Sequence, residues 1–487
     1  MSKRVILSVA AAAMGVAAPA AAQVTIGNWY GTLGEGPGAL RIAVHIFAAE
    51  GGEEALRGTL DSPDQNALGI PLGAIEAADG RLAFTVPAVA GQYEGTWDQA
   101  EQRWRGRWSQ GAVVLPLDLG AAPPPPPPPA ALPAGWRAPS DEALQALIDE
   151  RSTPRPGQGI VIGVTEPEGA RIVAGPTATD AGAFSGTTVF EIGSISKVFT
   201  ALILADMVSK GEVSLDTPAE TLLPPGHRMP QLGRKITLAD LALHVSGLPR
   251  LPDNLAMTDP ADPYAGYGEE ELLAFLDGHA LSRAPGAAWE YSNLGPGLLG
   301  YLLGRAAGSN YGRLLHERIT QPLGMVDTMI DLPAEAEARM APPLDPYLRP
   351  AKPWHMAVLA GAGGIRSTAN DMLKFASAVL DPHPLLARPM QIALATTAQT
   401  GRVWVKQALG WQVIGLDEGR RMLVHDGGTG GFRAALALEP GRGRAAIVLI
   451  NSIAEPAAQD LASHVVAGTP VRPTPPIPTQ NVDKIAP

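Results

Sequence analysis

Ser194 and Lys197 stand three residues apart in Phe190-Glu191-Ile192-Gly193-Ser194-Ile195-Ser196-Lys197, at the head of an apolar run that reaches Val208. In a helix, positions i and i+3 share a face, so an amine comes within reach of a hydroxyl at the helix N-terminus. That pairing can make a serine nucleophilic. Burial lowers the lysine pKa, the neutral amine accepts the hydroxyl proton, and the positive helix end favours the developing negative charge. The surrounding residues predict such a helix: Gly193 makes a tight turn and Ser194 opens the first turn. Ile195, Val198, Phe199 and Leu202 recur at helical spacing, while Leu204, Ala205 and Met207 leave almost no polar face. A buried helix ending at Lys210-Gly211 is expected.

Two further stretches carry polar groups suited to a substrate. Pro285-Gly286-Ala287-Ala288-Trp289-Glu290-Tyr291-Ser292-Asn293 is a turn followed by Tyr-x-Asn, before an apolar helix expected to begin near Gly297. Tyr291 and Asn293 project to one side of such a loop, offering a phenol and a carboxamide to one cavity. In His425-Asp426-Gly427-Gly428-Thr429-Gly430-Gly431-Phe432, glycines after a histidine let a ligand approach bare backbone. Other chemistries are disfavoured. There is no cysteine, so no thiolate zinc site and no thiol nucleophile, and the nine histidines are scattered without a His-Glu-x-x-His pair. No metal and no cofactor is expected. A formal net charge of −11, without a Lys/Arg cluster, argues against nucleic acid as a partner.

The elements around these residues fall into two parts. Residues 1–22 read as a secretory signal peptide: Lys3-Arg4, an apolar run from Val5 to Ala18, and Ala20-Ala21-Ala22 before Gln23. No later stretch is long and apolar enough to span a membrane, so an exported, periplasmic or secreted protein is expected. From 24 to 120 apolar residues alternate, as in Leu40-Ile42-Val44-Ile46 and Leu82-Phe84-Val86, and Asp79-Gly80 signals a hairpin turn. Three similar pentapeptides, beginning at Gly58, Gly95 and Gly106, read as repeated strand ends of a small barrel or curled sheet. Trp29, Trp97, Trp104 and Trp108 are expected to fill its core. Residues 121–135 hold the run Pro123–Pro129, a polyproline II spacer of roughly 20 Å. Helix and strand signals then mix over 136–468. These include a helix over Asp141–Glu150, strands at Gly159–Val164, Phe432–Leu438 and Ala445–Ile450, and capping boxes starting at Thr237 and Thr368. Gly361-Ala362-Gly363-Gly364 reads as close backbone packing or a loop lining the site. The Pro/Thr-rich segment 469–487 reads as a disordered tail.

In this order, Ser194-x-x-Lys197, Tyr291-x-Asn293 and His425-x-Gly427 resemble the serine β-lactamase and penicillin-binding-protein superfamily, in its class C branch. Leu241 to Pro249, Gln321-Pro322-Leu323-Gly324-Met325 and Gly361 to Thr368 are similar to landmarks of the same family. The resemblance implies an α+β fold: a β-lactamase/transpeptidase-like catalytic domain, an antiparallel sheet flanked by helices, preceded here by a small all-β barrel-like domain. It implies that Ser194 forms an acyl-enzyme, that Lys197 and Tyr291 share the general-base work through a phenol of lowered pKa, and that Asn293 holds the acyl side chain. Backbone N–H groups of Ser194 and Gly428 would form the oxyanion hole. One motif departs from the pattern. Class C β-lactamases carry Lys-Thr-Gly where this chain has His425-Asp426-Gly427, which weakens the expected receptor for a substrate carboxylate. His-x-Gly is instead similar to D-aminopeptidases and some D-Ala-D-Ala carboxypeptidases, while family VIII carboxylesterases share the first two motifs. The expected partner is a small-molecule or peptide substrate, with a penicillin-binding envelope protein without turnover as the non-enzymatic alternative.

Overall fold

Alternating apolar residues between Gly27 and Gly120 give ten strands: β1 Gly27–Leu33, β2 Leu40–Ala48, β3 Leu56–Ser62, β4 Ala67–Pro71, β5 Ile75–Ala78, β6 Arg81–Val86, β7 Gly91–Asp98, β8 Arg103–Gln110, β9 Val113–Pro116 and β10 Leu119–Gly120. The computed structural model describes residues 26–34, 40–48, 56–62, 67–110, 113–124, 132–133, 135–175, 184–256, 258–402 and 404–473. The expected signal peptide, residues 1–22, residues 125–131 of the proline-rich segment and residues 474–487 of the expected tail lie outside them.

The strands form one antiparallel sheet in the order β4-β3-β2-β1-β10-β8-β7-β6-β5, with β9 on β8. The sheet curls until its ends are bridged by one segment, where Leu72 N–H donates to Gly58 O and Gly73 N–H donates to Thr85 O. The Asp79-Gly80 hairpin has φ of 51° and 71°, the backbone that Asp-Gly favours between twisted strands. The three pentapeptides do close strands β3, β7 and β8. Trp29, Trp104 and Trp108 are buried, and Trp97 packs against them with ring centroids 5.1 Å from Trp104, so the tryptophans are core.

Past residue 129 a second compact unit begins. Its sheet runs β12-β11-β20-β19-β18-β17-β16-β15, with all neighbours antiparallel. The strands are β11 Ile160–Glu166, β12 Gly169–Gly175, β15 Thr397–Gln399, β16 Val405–Ala408, β17 Gln412–Gly415, β18 Arg421–Gly428, β19 Arg433–Glu439 and β20 Arg444–Ile450; β13 Val189–Glu191 and β14 Arg366–Thr368 pair separately. Alternation along each strand sends side chains to two helical layers. Ile160, Ile162 and Val164 meet α1 Asp141–Ser152 and α7 Ala458–Ala467; Val161, Leu436 and Ile447 share a core with α2 Ser196–Ser209, α4 Leu294–Ala306, α5 Ala369–Leu380 and α6 Pro384–Ala395.

Helix α2 is the centre of that larger core, with Ser196 through Met207 all buried. It ends as expected, at Lys210 with Gly211 at φ 72°. Helix α3 Leu238–Ala242 starts in the complete capping box expected at Thr237. At Thr368 only the threonine half is made, because Asp371 turns its carboxylate to the Asp327 N–H and the Thr328 hydroxyl. Helix α4 begins at Leu294, three residues before the expected Gly297. Pro296 lies in its first turn, where a missing N–H costs nothing.

The buried hydrophobic clusters are segregated: one is drawn from Trp29 to Leu119, the other two only from Leu132 onward. Residues 129–487 produced alone are therefore expected to fold and to keep turnover of small esters within about twofold. A truncated protein that is folded by circular dichroism yet inactive would show that the N-terminal sheet contributes to the site.

Candidate active site

The turn before α2 places Ser194. Gly193 takes φ 50°, and Gly193–Ile195 forms a single 3₁₀ turn that runs into the α-helix. This turn is pressed against β18. Pairing between β17 and β18 stops at Gln412↔Val424, leaving the His425–Gly428 edge without a β17 partner. A Cβ on Gly427 would stand 2.0 Å from the Ile192 carbonyl oxygen and 3.1 Å from the Ser194 nitrogen; one on Gly193 would stand 2.6 Å from the Gly428 nitrogen. Only glycine permits this approach. It brings the Gly193–Ser194 and Gly427–Gly428 backbones together.

Lys197 is 2% exposed, and its Nζ lies 2.9 Å from Ser194 Oγ, 2.9 Å from Asn293 Oδ1 and 2.7 Å from Ala362 O. The last two are oxygens that can only accept, so they fix two N–H bonds of the amine. In the neutral amine the lone pair is then left for the Ser194 hydroxyl. Burial holds the Lys197 pKa well below its ordinary value, and the nearby Arg250 guanidinium lowers it further, against an opposing pull from Asp426.

Tyr291 also interacts with Ser194, but its pKa does not follow the sequence expectation. Burial pushes the phenol up, and the Ser194 bond and Arg250 only partly offset this, while Asp426 adds to it. The phenol is therefore a neutral group, and the lowered pKa belongs to the lysine alone. The Asn293 carboxamide oxygen is taken by Lys197, so holding the acyl side chain, its expected role, falls to its NH₂ donors. Its side chain also interacts with Tyr264, which packs edge-on against Trp354 at 5.3 Å.

His425 and Gly427 face the Ser194 turn and are buried, while Asp426, on the alternate side of the strand, is exposed. The His425 Nδ1 lies 2.8 Å from the Asp426 carbonyl oxygen, which places the proton on Nδ1 and leaves Nε2 as an acceptor. Burial, the largest influence, lowers the His425 pKa to about 4, with Lys197 adding to it and Asp426 opposing. His425 is thus neutral at neutral pH, and the third motif offers no cation.

Four residues join the site that its motifs do not name. His244, buried and at φ 62°, stacks on Tyr291 with centroids 4.6 Å apart, and its Nδ1 accepts the Ser292 N–H at 3.1 Å. The Ala362 carbonyl holds Lys197, so the Gly361–Gly364 segment both packs closely and lines the site. The Arg250 guanidinium lies 5.2 Å from the Tyr291 ring centroid. Arg433, paired with Gly428, passes so close that a Cβ on Gly428 would meet its guanidinium nitrogen at 2.5 Å. His244 sits in a stretch already similar to a family landmark; neither arginine has a spacing signal.

With this geometry in place, a family model described as Beta-lactamase matches residues 144–468. The chain is 32% identical over 279 residues to the D-alanyl-D-alanine-carboxypeptidase/endopeptidase AmpH of Escherichia coli (strain K12), covering 54% of this chain and 71% of that protein. It is 28% identical over 316 residues to a beta-lactamase of Pseudomonas fluorescens, covering 57% of this chain and 84% of that one. Among solved structures, a class C beta lactamase from Rhodobacter sphaeroides matches with a TM-score of 0.54 at 26% identity, over 64% of this chain and 93% of that one. Among the described residues, no helix is long and apolar enough to cross a membrane.

Proposed function

The chain belongs to the beta-lactamase family of serine hydrolases, and we propose that it is an exported enzyme that cleaves an amide or ester through an acyl-Ser194 intermediate. The substrate classes are D-amino-acid peptides, peptidoglycan stems and β-lactams. The observation that carries this reading is the Lys197 amine, held by Asn293 Oδ1 and Ala362 O with its remaining position on Ser194 Oγ. Lys197 takes the Ser194 proton, the Ser194 and Gly428 N–H groups receive the oxyanion, and Tyr291 gives its phenol proton to the leaving atom and regains one from Lys197, which returns the amine to its neutral form. Water then attacks the ester with Lys197 again as base.

A carboxylesterase is the second reading, favoured by the uncharged His425. Without a cation in the third motif, a carboxylate on the leaving-group half of a substrate gains little there. The purified protein assayed against nitrocefin, a D-alanyl anilide and short p-nitrophenyl esters is expected to give a higher kcat/KM on a neutral ester or amide than on the cephalosporin. Combining His425→Lys with Asp426→Thr should shift that ratio toward the cephalosporin by about 1 to 2 kcal/mol, the scale of a charged hydrogen bond. A histidine of ordinary pKa would make β-lactam turnover rise as pH falls through 6.5. Because burial lowers the His425 pKa to about 4, no such rise is expected between pH 5 and 8. A parent protein that prefers the cephalosporin, with no change in the double variant, would remove the third motif from control of specificity.

A further inference from the structure

Beside the Tyr-x-Asn segment stands a cation that the proposed reaction does not use. Arg250 follows Pro249 in the loop after α3, and its main-chain oxygen accepts the N–H groups of Asn293 at 2.9 Å and Leu294 at 3.2 Å. Its backbone is thereby fixed beside the Tyr-x-Asn segment. Its side chain is exposed, and the guanidinium lies over the face of Tyr291. Other cations are ion-paired, Arg234 with Asp240, Arg283 with Glu290 and Lys352 with Asp259, whereas Arg433 beside Gly428, like Arg250, has no carboxylate partner among the described residues. Among the described residues, no carboxylate comes within ion-pair distance of Arg250. Stacking engages only the face of a guanidinium; its in-plane N–H donors stay open, in the fork that matches a carboxylate.

We propose that Arg250 forms an anion subsite for the acyl half of the substrate, so that this enzyme selects acyl donors carrying a carboxylate a few bonds from the scissile carbonyl. The proposal rests on the acyl-Ser194 reading. There the leaving-group half lies toward His425–Gly428, and the acyl half toward Asn293, the residue to which Arg250 is bonded. The positive charge missing from the third motif is thus present on the other side of the serine, where it serves a different part of the substrate. The field of Arg250 on Lys197 and Tyr291 agrees with this closeness.

Two p-nitrophenyl esters with the same leaving group separate these ideas: the p-nitrophenyl monoester of glutaric acid and its neutral methyl ester. The parent protein is expected to show a kcat/KM about tenfold higher for the acid, the scale of one charge-assisted hydrogen bond. In Arg250→Met that ratio should fall to about 1, and Arg250→Lys should restore part of it, whatever happens to the absolute rates. Arg433→Met, which removes a cation beside Gly428, should leave the ratio as in the parent. No preference for the acid in the parent, an unchanged ratio in Arg250→Met, or an equal loss in Arg433→Met would overturn the subsite while leaving the serine hydrolase reading intact. Turnover of neither ester by the parent protein would overturn the acyl-Ser194 reading itself, and the subsite with it.

Discussion

Ser194→Ala is expected to lower kcat/KM by at least about 10⁴-fold on every ester and amide tested, because Ser194 is the hydroxyl that the buried Lys197 amine contacts. The reacting oxygen lies 2.9 Å from Lys197 Nζ and interacts with the Tyr291 phenol, and the turn that carries it is packed against the Gly427–Gly428 backbone. Removing one oxygen atom from the helix start creates no large cavity, so the variant should keep its thermal midpoint within a few degrees. Intact mass after exposure to a fluorophosphonate or penicillin should show one adduct on the parent and none on the variant. An adduct that persists on Ser194→Ala would move the nucleophile elsewhere.

The second large effect is expected at Lys197. Lys197→Met keeps the length of a buried side chain while removing the base, and kcat/KM should fall about 10³-fold, within the range of a positioned general base. The sign of the pH dependence follows from which form works. The neutral amine accepts the proton, so activity falls as pH drops through the lowered Lys197 pKa and is maintained above it. This acid limb should be missing from the residual activity of Lys197→Met. Tyr291→Phe, which removes a phenol that burial keeps neutral, should cost less than Lys197→Met and leave the limb in place. If Tyr291→Phe abolished the limb and Lys197→Met kept it, the phenol would be the base after all.

The Ser194–Lys197 pair was legible because i, i+3 geometry is local and needs nothing beyond a helix. The curled sheet was legible for a similar reason, since period-two alternation and Asp-Gly turns act over a few residues. Bringing Tyr291, Asn293 and His425 to that pair required the family pattern, as no local rule joins positions separated by a hundred residues. Three features depended on the fold alone. The direction of the Tyr291 shift is set by burial, which spacing does not report. The Ala362 carbonyl has no side-chain signature. Arg250 reads in sequence as an ordinary loop charge, and only its lack of a carboxylate partner beside Tyr291 sets it apart. The Gly295-Pro296-Gly297 run misled for a definable reason: residues that break a helix interior are harmless in its first turn.

The burial of α2 on all sides has a consequence for how activity is lost. Amides of a helix wrapped by the core on every face exchange with solvent only through the largest openings of the unit, so Ser194 and Lys197 sit at the start of its most protected segment. Fraying at surface loops can alter what the enzyme binds, since Arg250 lies on such a loop. It does not reach the nucleophile or its base. With Arg250 selecting the acyl group as proposed, specificity and catalysis are carried by regions of different local stability. Mild denaturant should blur the choice of substrate before it stops the chemistry, and the chemistry ends only with cooperative unfolding.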